Sequence, residues 1–535
     1  MINPDNRLTT IYFIKFYISK FIRSFFKLSK ERNYSSRLNK FLKLKKTLNN
    51  KNKKEKILLI CLDNFEKYFL YVWLVCINKL SNKYGIKIVS SKNNFIINKI
   101  AKLLDLELII FDKIQDQEID NTLKYKIKKL QNFENFINFK YDKFEIGKMV
   151  ISNYCRLHRV GFINYNSLLQ RKILQSMIYG FLKKYLAILN SELFKDTKIV
   201  FTFEKNLFPY LHFYLFAIKK KYNLVHWAGG NLNEKSFLLR KYNMKNIYLH
   251  HSTVSDKNWK LKKVKFNKKI LLFNKKILNK RYSGDFSTFS VNLIKCKKNI
   301  NLKIPQQNKK KNCIIFSHIL HDQLYFFGDD IYESYSDWLI NTVKLAMKNK
   351  NVNWYVKFHP SNIYRGEFKL GKSKEEDILR QHIYTLPNHV KFIYPDTVYS
   401  PIEWMKFADI GVTVRGTSGL EMAMLGKPVI TCGANRYEDK GFSYDPKNVA
   451  QYEKYIKNIH KLSTKKNQIE NSNLFFYYLF KAKPFTADFI KTNYSGNFSW
   501  YKVDFNTHKN FQNSKNIKKF TKFIENSKQT EYLNI

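Results

Sequence analysis

Cysteine is scarce: six in 535 residues (Cys61, Cys76, Cys155, Cys296, Cys313 and Cys432), none in a C-x-x-C pair. That argues against a disulfide scaffold and a thiolate zinc site, and it fits a reducing compartment. Acidic residues are also few, 42 against 96 Lys+Arg, for a formal net charge of +54. No run of ~18 uncharged apolar residues occurs, so no transmembrane helix is expected. The apolar stretch 11–26 carries Lys15, Lys20 and Arg23, and no small-residue cleavage site follows, so it is not read as a signal peptide. Internal repeats are absent. What is plentiful is core material: 44% hydrophobic residues, with 45 Phe and 35 Tyr. That excludes a disordered or collagenous chain, and the length calls for two large domains or three smaller ones.

The excess of Lys comes with abundant Asn, Ile, Phe and Tyr, as A/T-rich coding would produce. Whatever its origin, such a surface attracts phosphates on lipids, nucleotides or nucleic acid. Residues 1–52 hold 13 Lys/Arg and two acids, Asp5 and Glu31. Lys15, Ser19, Arg23 and Lys27 recur every four residues and form a polar stripe on an otherwise Ile/Phe/Tyr helix. A cationic stripe with an aromatic remainder suits an anionic membrane interface, although packing on the protein itself would also satisfy it.

From Lys56 strands and helices alternate: 56–62, 86–90, 106–111, 198–203 and 223–230 read as strands, with helices over 67–84, 93–104 and 209–221 and a mostly helical stretch at 120–193. The region 251–312 reads as irregular. A second alternating set has strands at 312–318, 353–360, 390–395, 408–414 and 427–433, with helices at 330–348 and 420–426. Alternation of this kind predicts parallel sheets in an α/β fold. The expected organisation is a basic segment 1–52, an N-terminal domain 53–290, a linker 291–312, a C-terminal domain 313–490 and a tail 491–535 that packs back across the molecule.

Ligands of parallel sheets bind beyond the carboxyl ends of the strands, and the polar residues of the second half gather there. His318, with Asp322 just after it, closes one strand, and Lys357 and His359 close the next. Arg415-Gly416-Thr417-Ser418-Gly419 closes a third, and Arg436 follows a fourth. A glycine-containing loop entering a helix offers free N–H groups and a positive dipole end to phosphate, to which Thr417, Ser418 and Arg415 add donors. Ser418-Gly-Leu-Glu421 also reads as a capping box that needs no ligand. His318, His321 and Asp322 lack a third-ligand spacing for a metal, and no paired carboxylates are present to hold Mg²⁺. No metal or cofactor is expected.

Lys357-x-His359-Pro360, followed about 55 residues later by Arg415-Gly-Thr-Ser-Gly-x-Glu421, Gly426-Lys-Pro428 and Gly433, resembles the bacterial capsule polysaccharide synthesis transferases, which include enzymes using CMP-activated Kdo. The resemblance covers about 313–445 and is loose before 310. It implies a GT-B fold, with two Rossmann-like domains facing across a cleft and the nucleotide sugar held by the second. His359, Thr417 and Ser418 would then contact donor phosphate, and Glu421 the ribose or the sugar. The acidic base of the acceptor half would be Glu204 or Asp63, the acids at strand ends there. The implied protein is a cytoplasmic glycosyltransferase at the inner face of the membrane, acting on a glycan or lipid-linked acceptor. CDP-glycerol-type glycerophosphotransfer and a non-catalytic glycan-assembly subunit are the alternatives. A nucleic-acid partner is not expected, because the aromatics lie in core-like runs and not among the basic residues.

Overall fold

A computed structural model describes residues 39–45, 47–48, 53–63, 66–229, 235–261, 264–282, 309–322, 324–328, 330–362, 374–395, 399–494, 503–507 and 514–534. Most of the basic segment expected at 1–52 and of the linker expected at 291–312 lies outside them. Among the described residues no helix is long and apolar enough to cross a membrane.

The first half is built on β1 (Lys56–Cys61), β2 (Gly85–Ser90), β3 (Glu107–Ile110), β4 (Thr197–Thr202), β5 (Asn223–Gly229) and β6 (Ser236–Tyr242). The second is built on β7 (Asn312–Phe316), β8 (Asn353–Lys357), β9 (Val390–Ile393), β10 (Ile410–Thr413) and β11 (Val429–Ile430), and β12 (Phe485–Thr486) returns to the first sheet. The sheet orders are β3-β2-β1-β4-β5-β6-β12 and β9-β8-β7-β10-β11. β1 to β5 are parallel, β6 runs antiparallel to β5 and to β12 on its other side, and the second sheet is parallel throughout. The parallel strands of both sheets share one doubly wound order, 3-2-1-4-5, whose direction reverses between strands 1 and 4. Two Rossmann-like sheets on either side of a cleft are the GT-B-like α/β architecture that the sequence leads one to expect.

The strands form because their runs are apolar and are buried on both faces, as parallel strands must be; every residue of β2 and β7 is buried. Helix α1 (Lys67–Asn78) covers one face of the first sheet, where the Trp73 ring meets Phe201, Trp227 and Phe237 at 5.0, 5.0 and 4.8 Å. Just before β1, Phe41 and Leu44 of the short helix Asn39–Lys45 are buried in the same core, with the Phe41 ring 5.2 Å from Tyr71. Helices α2 (Ile146–His158) and α3 (Leu168–Leu189) fill the mostly helical stretch. The stretch 251–312 reads as irregular from its Lys/Asn-rich composition, but its described part contains α4 (Lys268–Tyr282), which buries Ile270, Asn274, Ile277 and Leu278. Helices α5 (Tyr335–Lys348), α6 (Lys374–His382), α7 (Thr417–Met424) and α8 (Lys466–Tyr477) belong to the second half. The C-terminal α9 (Lys515–Glu525) returns to the first half and places Ile517, Phe520, Phe523 and Ile524 in its core.

Candidate functional site

Strand register levels the site. Phe316 pairs with both Lys357 and Thr413, so His318, His359 and Arg415 each stand two residues beyond one ladder rung. Across the molecule Ile60 pairs with Thr202, which puts Glu204 two residues past the end of β4 and Asp63 three past Ile60. These are the carboxyl ends flanking the two reversal points, where open α/β sheets bind ligands. Between the halves lies a cleft of about 800 Å³. Its first wall is Lys143 with the segments 244–250 and 253–256, and its second is His318, Asp322, Phe327, Arg415 and the segments 434–436 and 438–440.

Arg415 is buried, forms an ion pair with the buried Asp330, and has its guanidinium carbon 5.3 Å from the Tyr335 ring centre. Its Nε and Nη1 are sealed from solvent and have no hydrogen-bond partner among the described residues. Asp330 thus engages one nitrogen, and the other two are buried donors with no bond of their own. Arg436, also in the wall, makes no hydrogen bond or ion pair with the described residues. Burial, with Arg281 repelling from one side, pulls its pKa down, so this guanidinium gains from any anion entering the cleft.

His318 lines the cleft with Nδ1 3.1 Å from the Ile319 carbonyl. Nδ1 therefore carries the proton and donates, and Nε2 keeps its lone pair. Burial first, then Arg415 and Arg436, push its pKa down to about 4, against the pull of the Ile319 carbonyl. His359 stands beside it with the opposite tautomer, because Nδ1 accepts the Ser361 N–H at 3.1 Å. Burial, His318 and Lys357 lower it to about 3. Both imidazoles are neutral at physiological pH. Lys357 is buried behind them, and neither Lys357 nor His359 is in the cleft wall.

Asp322 reaches across to Arg156 of the first half, 3.2 Å away. Glu204 lies in the field of the same pair: burial foremost raises its pKa, Asp322 pushes the same way, and Arg156 opposes. A carboxylate with raised basicity beside a cleft meets the need of a general base. Asp63 is exposed, and its N–H donates to the Glu66 carboxylate at 3.0 Å and the Tyr210 hydroxyl at 2.8 Å. Neither Glu204 nor Asp63 is itself part of the wall.

The 416–421 turn differs from the capping box. Helix α7 begins at Thr417 with Gly416 as N-cap and no side-chain cap bond, two residues before Ser418 could cap it. Two contacts fix that start. Tyr437 Oη donates to the Gly416 carbonyl at 2.8 Å, and a Cβ on Gly419 would lie 2.3 Å from the same hydroxyl. Thr417 and Ser418 are half-buried in the first turn. Glu421, 1% exposed, pairs with Arg281 Nε at 2.8 Å and accepts from the Tyr282 hydroxyl. Oε2 takes the Tyr282 hydroxyl, while Oε1 faces Arg281 as an ion pair without a hydrogen bond.

Comparison with known proteins gives weak likenesses only. No protein-family model matches the sequence, and no curated protein matches it. Among solved structures the chain is similar to the β-Kdo 2,4 transferase KpsC of Thermosulfurimonas dismutans, at 14% identity over 55% of this chain and 83% of that one, with a TM-score of 0.33. It is also similar to the calicheamicin glycosyltransferase CalG4, at 12% identity over 79% and 94% with a TM-score of 0.26. A third likeness is to the UDP-GlcNAc 2-epimerase of Neisseria meningitidis bound to UDP-GlcNAc, at 13% over 78% and 97% with a TM-score of 0.23. Scores this low bear no weight for chemistry, which rests on the cleft.

Of the residues singled out from sequence, the cleft wall gathers His318, Asp322, Arg415 and Arg436. Several others were not legible. Glu375 of α6 is fully buried and accepts from the His359 N–H (2.8 Å), Ser317 Oγ (2.8 Å) and Asn362 Nδ2 (2.6 Å), which holds the His359–Pro360 turn in place. Asp330, Arg281, Lys205 and His250 were also missed. For His250 a signal existed, the pair His250-His251 just after an apolar run in a chain with only 12 His. Among the described residues no group of three or more His, Cys, Asp or Glu is arranged to hold a metal ion.

Proposed function

We propose that the protein is a glycosyltransferase of surface-polysaccharide synthesis that moves a sugar, Kdo or a related acidic sugar, from a nucleotide donor to a glycan or lipid-linked acceptor. The observation that carries this is the pair Arg415 and Arg436. Both line the cleft, Arg415 with two buried unsatisfied nitrogens at the reversal point of a Rossmann-like sheet, and Glu204, an acid of raised basicity, follows a strand end of the opposite half, outside the wall itself. In this reading Arg415 and Arg436 hold the donor phosphate and stabilise the charge that develops as the nucleotide departs. His359 and the 416–419 turn support the phosphate from behind, and Glu204 takes the proton of the acceptor hydroxyl.

The basic segment before residue 39 would hold the enzyme at an anionic membrane where a lipid-linked acceptor resides. Release from anionic vesicles on deleting residues 1–38 supports that location, and retention refutes it.

A thermal-shift screen against CMP, CDP, UDP, GDP and ADP tests the central claim. A nucleotide that binds the folded state raises Tm by mass action, and a shift with CMP that Arg436→Met abolishes is the expected result. No shift with any nucleotide would overturn the reading. Turnover of CDP-glycerol in place of a CMP-sugar would replace it with glycerophosphotransfer.

A further inference from the structure

His250 lies in the cleft wall on the first-half side, in the loop after β6. Two contacts fix its tautomer. Nδ1 accepts the Ser252 backbone N–H at 3.1 Å and lies 2.7 Å from Ser252 Oγ. A backbone N–H cannot accept, so Nδ1 bears the lone pair and the single proton of the neutral ring must sit on Nε2. The ring is clamped between His251, with centroids 4.1 Å apart, and Phe327 of the second half, 4.6 Å away. Nε2 makes no hydrogen bond with the described residues, and it is not among the buried nitrogens sealed from solvent.

Burial foremost, then the neighbouring His251 and the cations Arg436, Lys205 and Arg415 from both halves, keep this ring neutral. Lys205 is fully buried, donates to the Leu249 carbonyl at 2.8 Å, and has the Tyr242 and Phe327 rings 4.2 and 4.8 Å away. It thus pins the chain just before His250. The ring is positioned, single in tautomer and uncharged, with its proton presented to a cleft whose other wall holds two arginines.

We infer that His250 is a ligand-binding residue whose neutral Nε2–H donates a hydrogen bond to an anionic oxygen of the substrate, the phosphate group held on its other side by Arg415 and Arg436. This rests on the reading of the cleft as a nucleotide-phosphate site. It assigns the first half a direct contact with the departing group, so that the ligand bridges the two walls. The same tautomer removes His250 as a general base: accepting a proton would require Nδ1 to give up the Ser252 N–H.

Two measurements on the full chain test the inference. The first is long-range ¹H–¹⁵N correlation of the His250 ring, identified by its loss in His250→Gln. A neutral Nε2–H pattern unchanged from pH 8 to 5.5 is expected; an Nδ1–H pattern, or titration near 6.5, overturns it. The second is CMP affinity by calorimetry for wild type, Arg436→Met, His250→Ala and His250→Gln, with a thermal melt confirming that each is folded. Losing one hydrogen bond to a charged oxygen predicts a roughly 10–150-fold weaker Kd for His250→Ala. His250→Gln, whose amide N–H₂ lies near the place of Nε2, should recover most of that loss. If Arg436→Met weakens binding while His250→Ala does not, the phosphate site stands and the His250 contact is refuted. If wild type binds no CMP, the parent reading fails and the inference with it.

Discussion

Arg415 and Arg436 share a charge and a cleft but differ in what their loss leaves behind. Arg415→Met would break the ion pair with Asp330, whose side chain is 4% exposed. Removing one partner of a buried ion pair costs about 3–5 kcal/mol, so a large fall in the urea midpoint is expected beside any loss of nucleotide affinity. Arg436 has no such partner. Arg436→Met should leave the midpoint within ~0.5 kcal/mol of wild type and weaken CMP binding roughly 10–150-fold. Equal stability for the two variants would show that Asp330 does not depend on Arg415.

Glu421 is decided at the same scale. As the third residue of a capping box it would tolerate Gln with little change in stability, since Gln serves there too. As the partner of Arg281 and Tyr282 it would not. Burial raises its pKa, and Arg281 and Tyr282 work against that rise. Glu421→Gln should cost about 1–3 kcal/mol of unfolding free energy, measured by urea titration. A midpoint equal to wild type would mean that the Arg281 contact contributes nothing.

At the scale of elements, α7 depends on a close approach that only glycine allows. Gly419→Ala puts a methyl group 2.3 Å from Tyr437 Oη, so either the helix or the ring must move. The Tyr437 bond to Gly416 that sets the helix start would then be lost. Overpacking of this kind costs about 1–3 kcal/mol, and a fall in Tm is expected. Tyr437→Phe in the same chain should recover part of it, because the clashing atom is the hydroxyl. No recovery would place the strain in the backbone instead.

The same element shows where local reading stops. The sequence around 410–430 is enough to place a strand, a glycine turn and a helix, and the described β10, α7 and β11 follow in that order. What moved the N-cap from Ser418 to Gly416 was Tyr437, some twenty residues away in sequence. What removed Glu421 from the cap was Arg281, on a helix placed in a stretch whose composition reads as irregular. Helix α4 was missed because its mean composition is polar, and its few apolar residues find their partners only in α8 and neighbouring segments. Its Asn274, for instance, donates to the Asn473 carbonyl at 2.9 Å.

At the scale of the whole molecule, the chain closes on itself through a buried ion cluster. Glu531, near the C-terminus, accepts from Arg240 of β6 at 3.2 Å, from Asn258 at 2.7 Å and from Lys483. The carboxylate and both cations are about 1% exposed. Burial alone would raise the Glu531 pKa, but Lys483 and Arg240 outweigh it and hold it down to about 2. A folded pKa below the unfolded value of ~4.3 contributes stability that is fully present above pH ~4.3. It is lost as the pH falls through about 2, because protons then bind the unfolded chain first. Glu531→Gln should therefore be destabilised by about 3–5 kcal/mol at pH 7. The gap from wild type in urea should narrow between pH ~4.3 and 2, and a gap independent of pH would assign the loss to packing.

Apolar runs alternating with helices determined the parallel strands of the two sheets, because burial on both faces leaves its mark in contiguous residues. Polar residues at strand ends marked the end of the second sheet that faces the cleft. Those are properties of contiguous residues, and the sequence alone holds them. Tertiary structure decided the rest. It chose Arg415 and Arg436 to face a cleft while placing Lys357 behind it, gave Glu421 to Arg281, and brought His250 and Phe327 together from opposite halves. It also joined Glu531 to Arg240 across nearly three hundred residues. For Arg415, Glu421 and Glu531 the deciding term is the pairing of a polar group taken out of water, and the partner lies at a distance along the chain that no local pattern encodes.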